Sequence, residues 1–150
     1  MLRRPRTSST PAPRLAYSAS PYPMIDVSEY VGLPFQPGGR GPRYDCYGLL
    51  RLVYADRLGI PLPEHTGYTA TLTPTTTAMI QAGLVDWTPV PDPDPWDVVL
   101  ILVDGEPNHI GLVIGGGHML HTTRRTDACI ESYQRPRWRT RVEGFYRWSS

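Results

Sequence analysis

His109-Ile-Gly-Leu-Val-Ile-Gly-Gly-Gly-His-Met-Leu-His121 is the stretch on which the fold turns. Two apolar, β-branched runs flank three glycines, the pattern of a β-hairpin. Same-face residues along a strand differ by two. His109, Gly111 and Val113 therefore lie together on one face of their strand, and Met119 and His121 lie together on one face of theirs. A three-residue loop over 115–117 pairs Ile114 with His118 and Gly111 with His121, which sets His121 diagonal to His109 on one face. A two-residue loop would pair Ile110 with His121 and send the two imidazoles to opposite faces. Bringing both imidazoles to one face therefore requires an odd-length loop, and three glycines can supply the positive φ it needs. By the same parity His118 points away from His121.

Working outward, residues 96–103, 128–133 and 140–148 read as further strands, after a proline-rich link at 89–95. Helical signals come earlier. Asp26 or Ser28 caps a short helix through Val31, ended by Gly32 and Pro34. A loop with Gly38, Gly39, Gly41 and Pro42 leads to a helix over 46–58, with Asp45 as N-cap. Cys46, Leu49, Leu50 and Val53 fall at helical spacing there, and Gly59 and Pro61 end it. A second helix is expected over 74–82, with Thr73 as its cap. The expected fold class is α+β, with N-terminal helices packed on one face of a C-terminal antiparallel sheet of about five strands. Residues 1–23, rich in Arg, Pro and Ser, read as a flexible arm, and 24–150 as a single domain.

Composition narrows the function classes. The 150 residues carry a net charge of +1, with 17 Pro, 14 Gly and only two Cys, so the chain is not a disulfide scaffold. All basic residues are Arg, and they concentrate at the two ends, while 26–123 are acidic. That distribution argues against nucleic-acid binding. No run approaches the roughly 20 apolar residues of a membrane span, so membrane insertion is not expected. No secretory signal follows the N-terminal arginines.

Cys46 stands at the first position of its helix, where unpaired N–H groups favour a thiolate, although most lone cysteines are small apolar core residues. His109 begins an apolar strand and has the chemistry of a base for a thiol. His121, on the next strand, supplies a polar group to orient that base. Cys129 reads as core. His118-x-x-His121 is too short for a zinc motif without a C-x-x-C partner, and a metal on Cys46, His109 and His121 is feasible but not expected. The chain has no Walker or Rossmann glycine pattern, and no cofactor is expected.

Val31-Gly-Leu-Pro-Phe-Gln-Pro-Gly-Gly39 and Tyr44-Asp-Cys-Tyr-Gly-Leu-Leu50 resemble the NlpC-type cell-wall cysteine peptidases, whose pattern is G-x-P-Y-x-x-G-G, then D-C-S-G-L. Pro95-Trp-Asp-Val-Val-Leu100, His109-Ile-Gly-Leu-Val-Ile114 and Met119-Leu-His-Thr122 are similar to later strands of that family. Val142-Glu-Gly-Phe-Tyr-Arg147 is similar to the last strand of its bacteriophage tail members. The resemblance covers roughly residues 24–148 and implies a papain-like fold. It implies an endopeptidase on peptidoglycan stem peptides, commonly at the γ-D-glutamyl–diaminopimelate bond. Cys46 matches the nucleophile, His109 the base and His121 its orienting residue. Asp45 matches an acid that contacts the substrate amine, a role compatible with helix capping.

Three positions depart from the pattern: Phe35 for Tyr, Tyr47 for Ser and Trp96 for Gly. Phe35 and Tyr47, at substrate-binding positions, bear on specificity. The phage resemblance implies a virion component at the tail tip, made in the host cytoplasm, with other tail-tip proteins as partners. Arg135, Arg137, Arg139 and Arg141 recur with period two around Trp138, which reads either as a docking surface or as a charged edge strand. Two rival expectations are a structural tail or assembly protein that keeps the fold without the activity, and a thiol enzyme with amidase or acyl-transfer chemistry.

Overall fold

The computed structural model describes residues 21–64 and 86–149. The expected helix over 74–82 and most of the expected arm over 1–23 lie outside the described residues. Six antiparallel strands form one sheet: β1 (Trp87–Val90), β2 (Val98–Val103), β3 (Glu106–Gly115), β4 (His118–Thr123), β5 (Thr126–Ser132) and β6 (Val142–Trp148). Their order is β1-β6-β2-β3-β4-β5. The middle four follow one another as a meander, and β6 returns to lie between β1 and β2. The α+β class stands, with six strands rather than about five. The additional strand, β1, begins before and runs into the stretch read as a proline-rich link. Pro89 is tolerated there because β1 is an edge strand, where a missing N–H need not break a ladder.

Helix α1 (Cys46–Val53) is stopped earlier than the periodicity predicts, and a π turn continues over Tyr54–Leu58. Gly59, at φ 67°, closes it. The expected short helix is a single 3₁₀ turn over Ser28–Tyr30, with the Asp26 carboxylate accepting from the Ser28 N–H at 3.0 Å. Leu49, Leu50, Val53 and Tyr54 pack against Val98, Ile110, Leu112, Ile114 and Leu120 on one face of the sheet. The other face holds Val99, Ile101, Val113, Met119 and Phe145 beneath Tyr133 and Trp138. Trp138 belongs to a short helix, α2 (Pro136–Arg139). The period-two arginines are therefore not an edge strand. Pro136 fits a first helical position, and Arg137 and Arg141 place their guanidinium carbons 4.7 and 5.9 Å from the Trp138 ring.

The β3–β4 hairpin reaches the expected register by a different route. Leu112 pairs with Leu120 and Val113 with Met119, as an odd loop requires. The turn itself is only Gly116-Gly117, and Gly115 pairs with His118. Ile114 is an extra residue in β3, a bulge that restores the parity a two-residue turn would reverse. Gly116 and Gly117 both have positive φ, 63° and 79°, as a tight turn joining twisted strands needs. The strand expected from residue 96 begins instead at Val98, because Trp96 has φ 81°. Its strained backbone is held by its N–H on the Val113 carbonyl at 2.9 Å and by the Tyr54 hydroxyl on its own carbonyl.

The start of α1 is locked by close backbone contact. A Cβ on Gly48 would lie 2.1 Å from the Gly39 carbonyl oxygen, and one on Gly39 would lie 2.3 Å from the Arg43 carbonyl oxygen. The loop and the first turn fit only without side chains at both positions. Gly48→Ala is expected to destabilise the protein by about 1–3 kcal/mol, the range of overpacking. Urea unfolding measures this, and an unchanged midpoint would show that the 39–43 loop yields freely.

Candidate active site

Asp45 caps α1 by accepting the Gly48 N–H at 2.7 Å. It also accepts from Arg40 at 2.9 Å, and only 2% of it is exposed. The carboxylate is thus already engaged by a backbone donor and a guanidinium. Arg40 reaches on to Glu64 at 2.8 Å, and Arg51 meets the same carboxylate at 3.0 Å. This network ties the loop before α1 to the segment after it.

Cys46 follows the cap and is half-buried. The backbone N–H groups of Ile110 and Tyr47 donate toward its sulfur. Since Ile110 is the residue after His109, the sulfur sits beside the strand segment that bears the imidazole. The helix start was expected to favour a thiolate. Burial outweighs it: first burial and then the Asp45 charge push the thiol up to about 12, against the lesser pull of the Ile110 and Tyr47 N–H groups and of Arg40.

His109 and His121 meet directly, His109 Nε2 lying 2.8 Å from His121 Nδ1. Their rings are 5.1 Å apart, centre to centre. His121 Nε2 in turn lies 2.7 Å from Glu131 Oε2. Trp138 donates its indole N–H to the other oxygen, Oε1, at 3.2 Å. The same indole stacks on His109 at 6.0 Å and meets the edge of His121 at 5.2 Å. Burial, and then the neighbouring His121, push His109 down to about 3. Burial also holds His121 below the usual imidazole range, although the Glu131 hydrogen bond and charge pull it upward. Glu131 is nudged upward by burial, but the hydrogen bonds from His121 and Trp138 together leave its carboxyl lowered.

These partners assign the protons. A carboxylate only accepts, so His121 Nε2 carries a proton toward Glu131. Neutral His121 then offers a lone pair at Nδ1, and His109 Nε2 carries the proton between the rings. His109 Nδ1 is left as the basic nitrogen. Burial thus disfavours charge on the Cys46 thiol and on the His109 imidazole alike.

Glu131 and Trp138 were not singled out from the sequence. The signal for Glu131 was available: β5 pairs Cys129 with His121, so Glu131, two residues on, shares that face. Trp138 comes from a helix whose placement no periodicity announced. Cys129, expected in the core, is half-buried at the site's margin, with its sulfur 3.8 Å from Glu131 Oε2. Burial, and then Glu131, push its thiol up to about 11. Phe35 is half-buried, and its N–H donates to Asp127 at 3.2 Å. Tyr47 donates its hydroxyl to the Pro63 carbonyl at 2.6 Å and lies under Arg40, 5.6 Å from ring centre to guanidinium. Asn108, 8% exposed, has no hydrogen-bond partner for either side-chain amide atom among the described residues.

Solved structures share this architecture. A lipoprotein-like NLP/P60 protein from Staphylococcus aureus superposes with a TM-score of 0.62 at 17% identity, over 89% of this chain and 45% of that one. The NlpC/P60 domain of the peptidoglycan hydrolase SagA gives 0.55 at 22% identity, over 79% of this chain and 89% of that one. The peptidoglycan hydrolase RipB from Mycobacterium tuberculosis gives 0.52 at 18%, over 79% and 58%. This chain thus spans under half of the staphylococcal protein and most of the isolated SagA domain. Among curated proteins none matches. The NlpC/P60 family model matches residues 32–147, from the glycine ahead of the Cys46 loop to the arginine near the end of β6, and the chain belongs to the NlpC/P60 family.

Proposed function

We propose that this chain is a cysteine endopeptidase of peptidoglycan stem peptides, cutting at the γ-D-glutamyl–diaminopimelate bond. The observation that carries the reading is the hydrogen-bonded series His109–His121–Glu131 beside the helix start that bears Cys46. The hydrolases SagA and RipB, whose folds it shares, support the substrate class.

In this mechanism Cys46 is the nucleophile and His109 the base. His109 Nδ1 takes the thiol proton as the sulfur attacks the amide carbonyl, and the Cys46 N–H donates to the developing oxyanion. The imidazolium passes that proton to the leaving amine, and a thioester remains. Water then attacks the thioester, losing its proton to His109, and the thiol is restored as the acid product leaves. His121 holds the ring of His109 and stabilises its charge, and Glu131 holds His121. In this reading Asp45, Phe35 and Tyr47 are the substrate-binding positions, with Asp45 recognising the substrate amine in exchange for Arg40.

The chain acts at a bacteriophage tail tip during wall penetration, among other tail-tip proteins. The likeness of Val142-Glu-Gly-Phe-Tyr-Arg147 to the last strand of tail members supports this setting. Among the described residues no helix is long and apolar enough to cross a membrane. Immunogold labelling of the particles is expected to mark the tail tip, and label confined to host lysate would remove the virion assignment.

Peptidoglycan of the diaminopimelate type, digested and analysed by mass spectrometry, tests the chemistry. The wild type is expected to release fragments ending at D-glutamate. Cys46→Ala and His109→Ala are each expected to lose at least about a thousandfold in rate. His121→Ala and Glu131→Gln are expected to lose less. Other Cys46-dependent fragments would reassign the bond to amidase-type chemistry, and no cleavage by folded protein would favour a structural tail protein.

Thiol alkylation reports the resting protonation state. A neutral pair predicts that iodoacetamide labelling of Cys46 climbs about tenfold per pH unit through pH 9–10, as the thiolate fraction does below a raised thiol pKa. A plateau already present at pH 6–7 would show a preformed ion pair instead.

A further inference from the structure

The geometry points to a metal site at the margin of this cluster: a thiophilic divalent cation, Zn²⁺ by its chemistry, held by His121 Nε2, Cys129 Sγ and Glu131 Oε2. These three donor atoms lie within 4.8 Å of one another. Backbone register brings them together, because His121 faces Cys129 across the β4–β5 ladder and Glu131 follows on the same side. A nitrogen, a sulfur and a carboxylate oxygen form a donor set that suits zinc, and three protein ligands leave a fourth position for water. The second carboxylate oxygen is already engaged by Trp138, with Arg137 at 3.9 Å, so Oε2 is the one turned to the cation.

Two of the three donor separations can be set against zinc geometry. Bond lengths of roughly 2.0–2.3 Å place tetrahedral donors about 3.3–3.8 Å apart. The Cys129–Glu131 separation of 3.8 Å already fits. His121 and Glu131, now 2.7 Å apart, must part by about 0.6 Å as the cation replaces the proton between them.

Proton accounting gives the site a consequence. On binding, Cys129 releases its thiol proton to solvent and the S–Zn bond forms. His121 Nε2 gives its lone pair to the metal, so the neutral ring carries its proton at Nδ1, toward His109 Nε2. His109 must then accept at Nε2 and carry its own proton at Nδ1, the nitrogen that has to be basic. The cation thereby switches off the base without touching Cys46. This regulatory part rests on the peptidase reading, whereas metal binding does not.

Cobalt tests the site directly. The chelator-treated full chain is titrated with Co²⁺ and followed for a thiolate-to-cobalt charge-transfer band. The band is expected in the wild type and in Cys46→Ser, is displaced by Zn²⁺, and is lost in Cys129→Ser and in Cys129→Ala. No band in the wild type, or a band kept in the Cys129 variants and lost in Cys46→Ser, overturns the site. Zn²⁺ is then added to the peptidoglycan assay. It is expected to inhibit the wild type, reversibly with chelator, and Cys129→Ser at least about tenfold less strongly. Equal inhibition of both would overturn the switch and place the inhibiting metal elsewhere. An inactive wild type with the cobalt band intact would leave the site standing and count against the peptidase reading alone.

Discussion

One extra residue in β3 carries the arrangement. With Gly116-Gly117 as the turn, an unbroken ladder would set His109 and His121 on opposite faces of the sheet. The bulge at Ile114 shifts the register by one and returns them to the same face. It is pinned from outside the hairpin, since the Ile114 carbonyl accepts the Ile25 N–H at 2.9 Å. The N-terminal segment thus holds in place the irregularity that brings the two imidazoles together. A side-chain period of two makes register a binary choice, and the whole histidine series follows from it.

The series works because it is buried. In water two neighbouring imidazoles would titrate independently, and neither tautomer would be selected. Here the core beneath Trp138 excludes solvent, holds both rings neutral, and leaves a carboxylate acceptor at one end. Direction then runs inward from Glu131 through two rings to one basic nitrogen. The same burial raises the thiol and so disfavours the thiolate. Helix-start electrostatics are real but small beside desolvation, which is why position within α1 misjudges the thiol.

Much of the fold was legible. Short β-branched and aromatic runs split by turn residues located β2 to β6, and the Asp45 cap with helical spacing after Cys46 located α1. The element order then implied α+β. What was missed has local causes. β1 is short, carries a proline and owes its place to Trp87 packing on Trp148 at 5.2 Å, a contact between neighbouring strands that lie far apart along the chain. α2 is a single turn, and its alternating arginines imitate a strand. Trp96 occupies a backbone conformation usual for glycine, compensated by Tyr54 from another element.

By itself the sequence determined which side chains could react and, through parity, what the hairpin had to do for the two histidines to share a face. Those are properties of residue identity and of a two-residue period, both local. Tertiary structure decided the device that met the parity requirement, the protonation of the thiol and of the imidazoles, and the enlistment of Glu131, Trp138 and Cys129. Each of these depends on burial or on contact between distant segments. Desolvation and cross-strand register are set by what packs around a residue, and no stretch of chain carries that information alone.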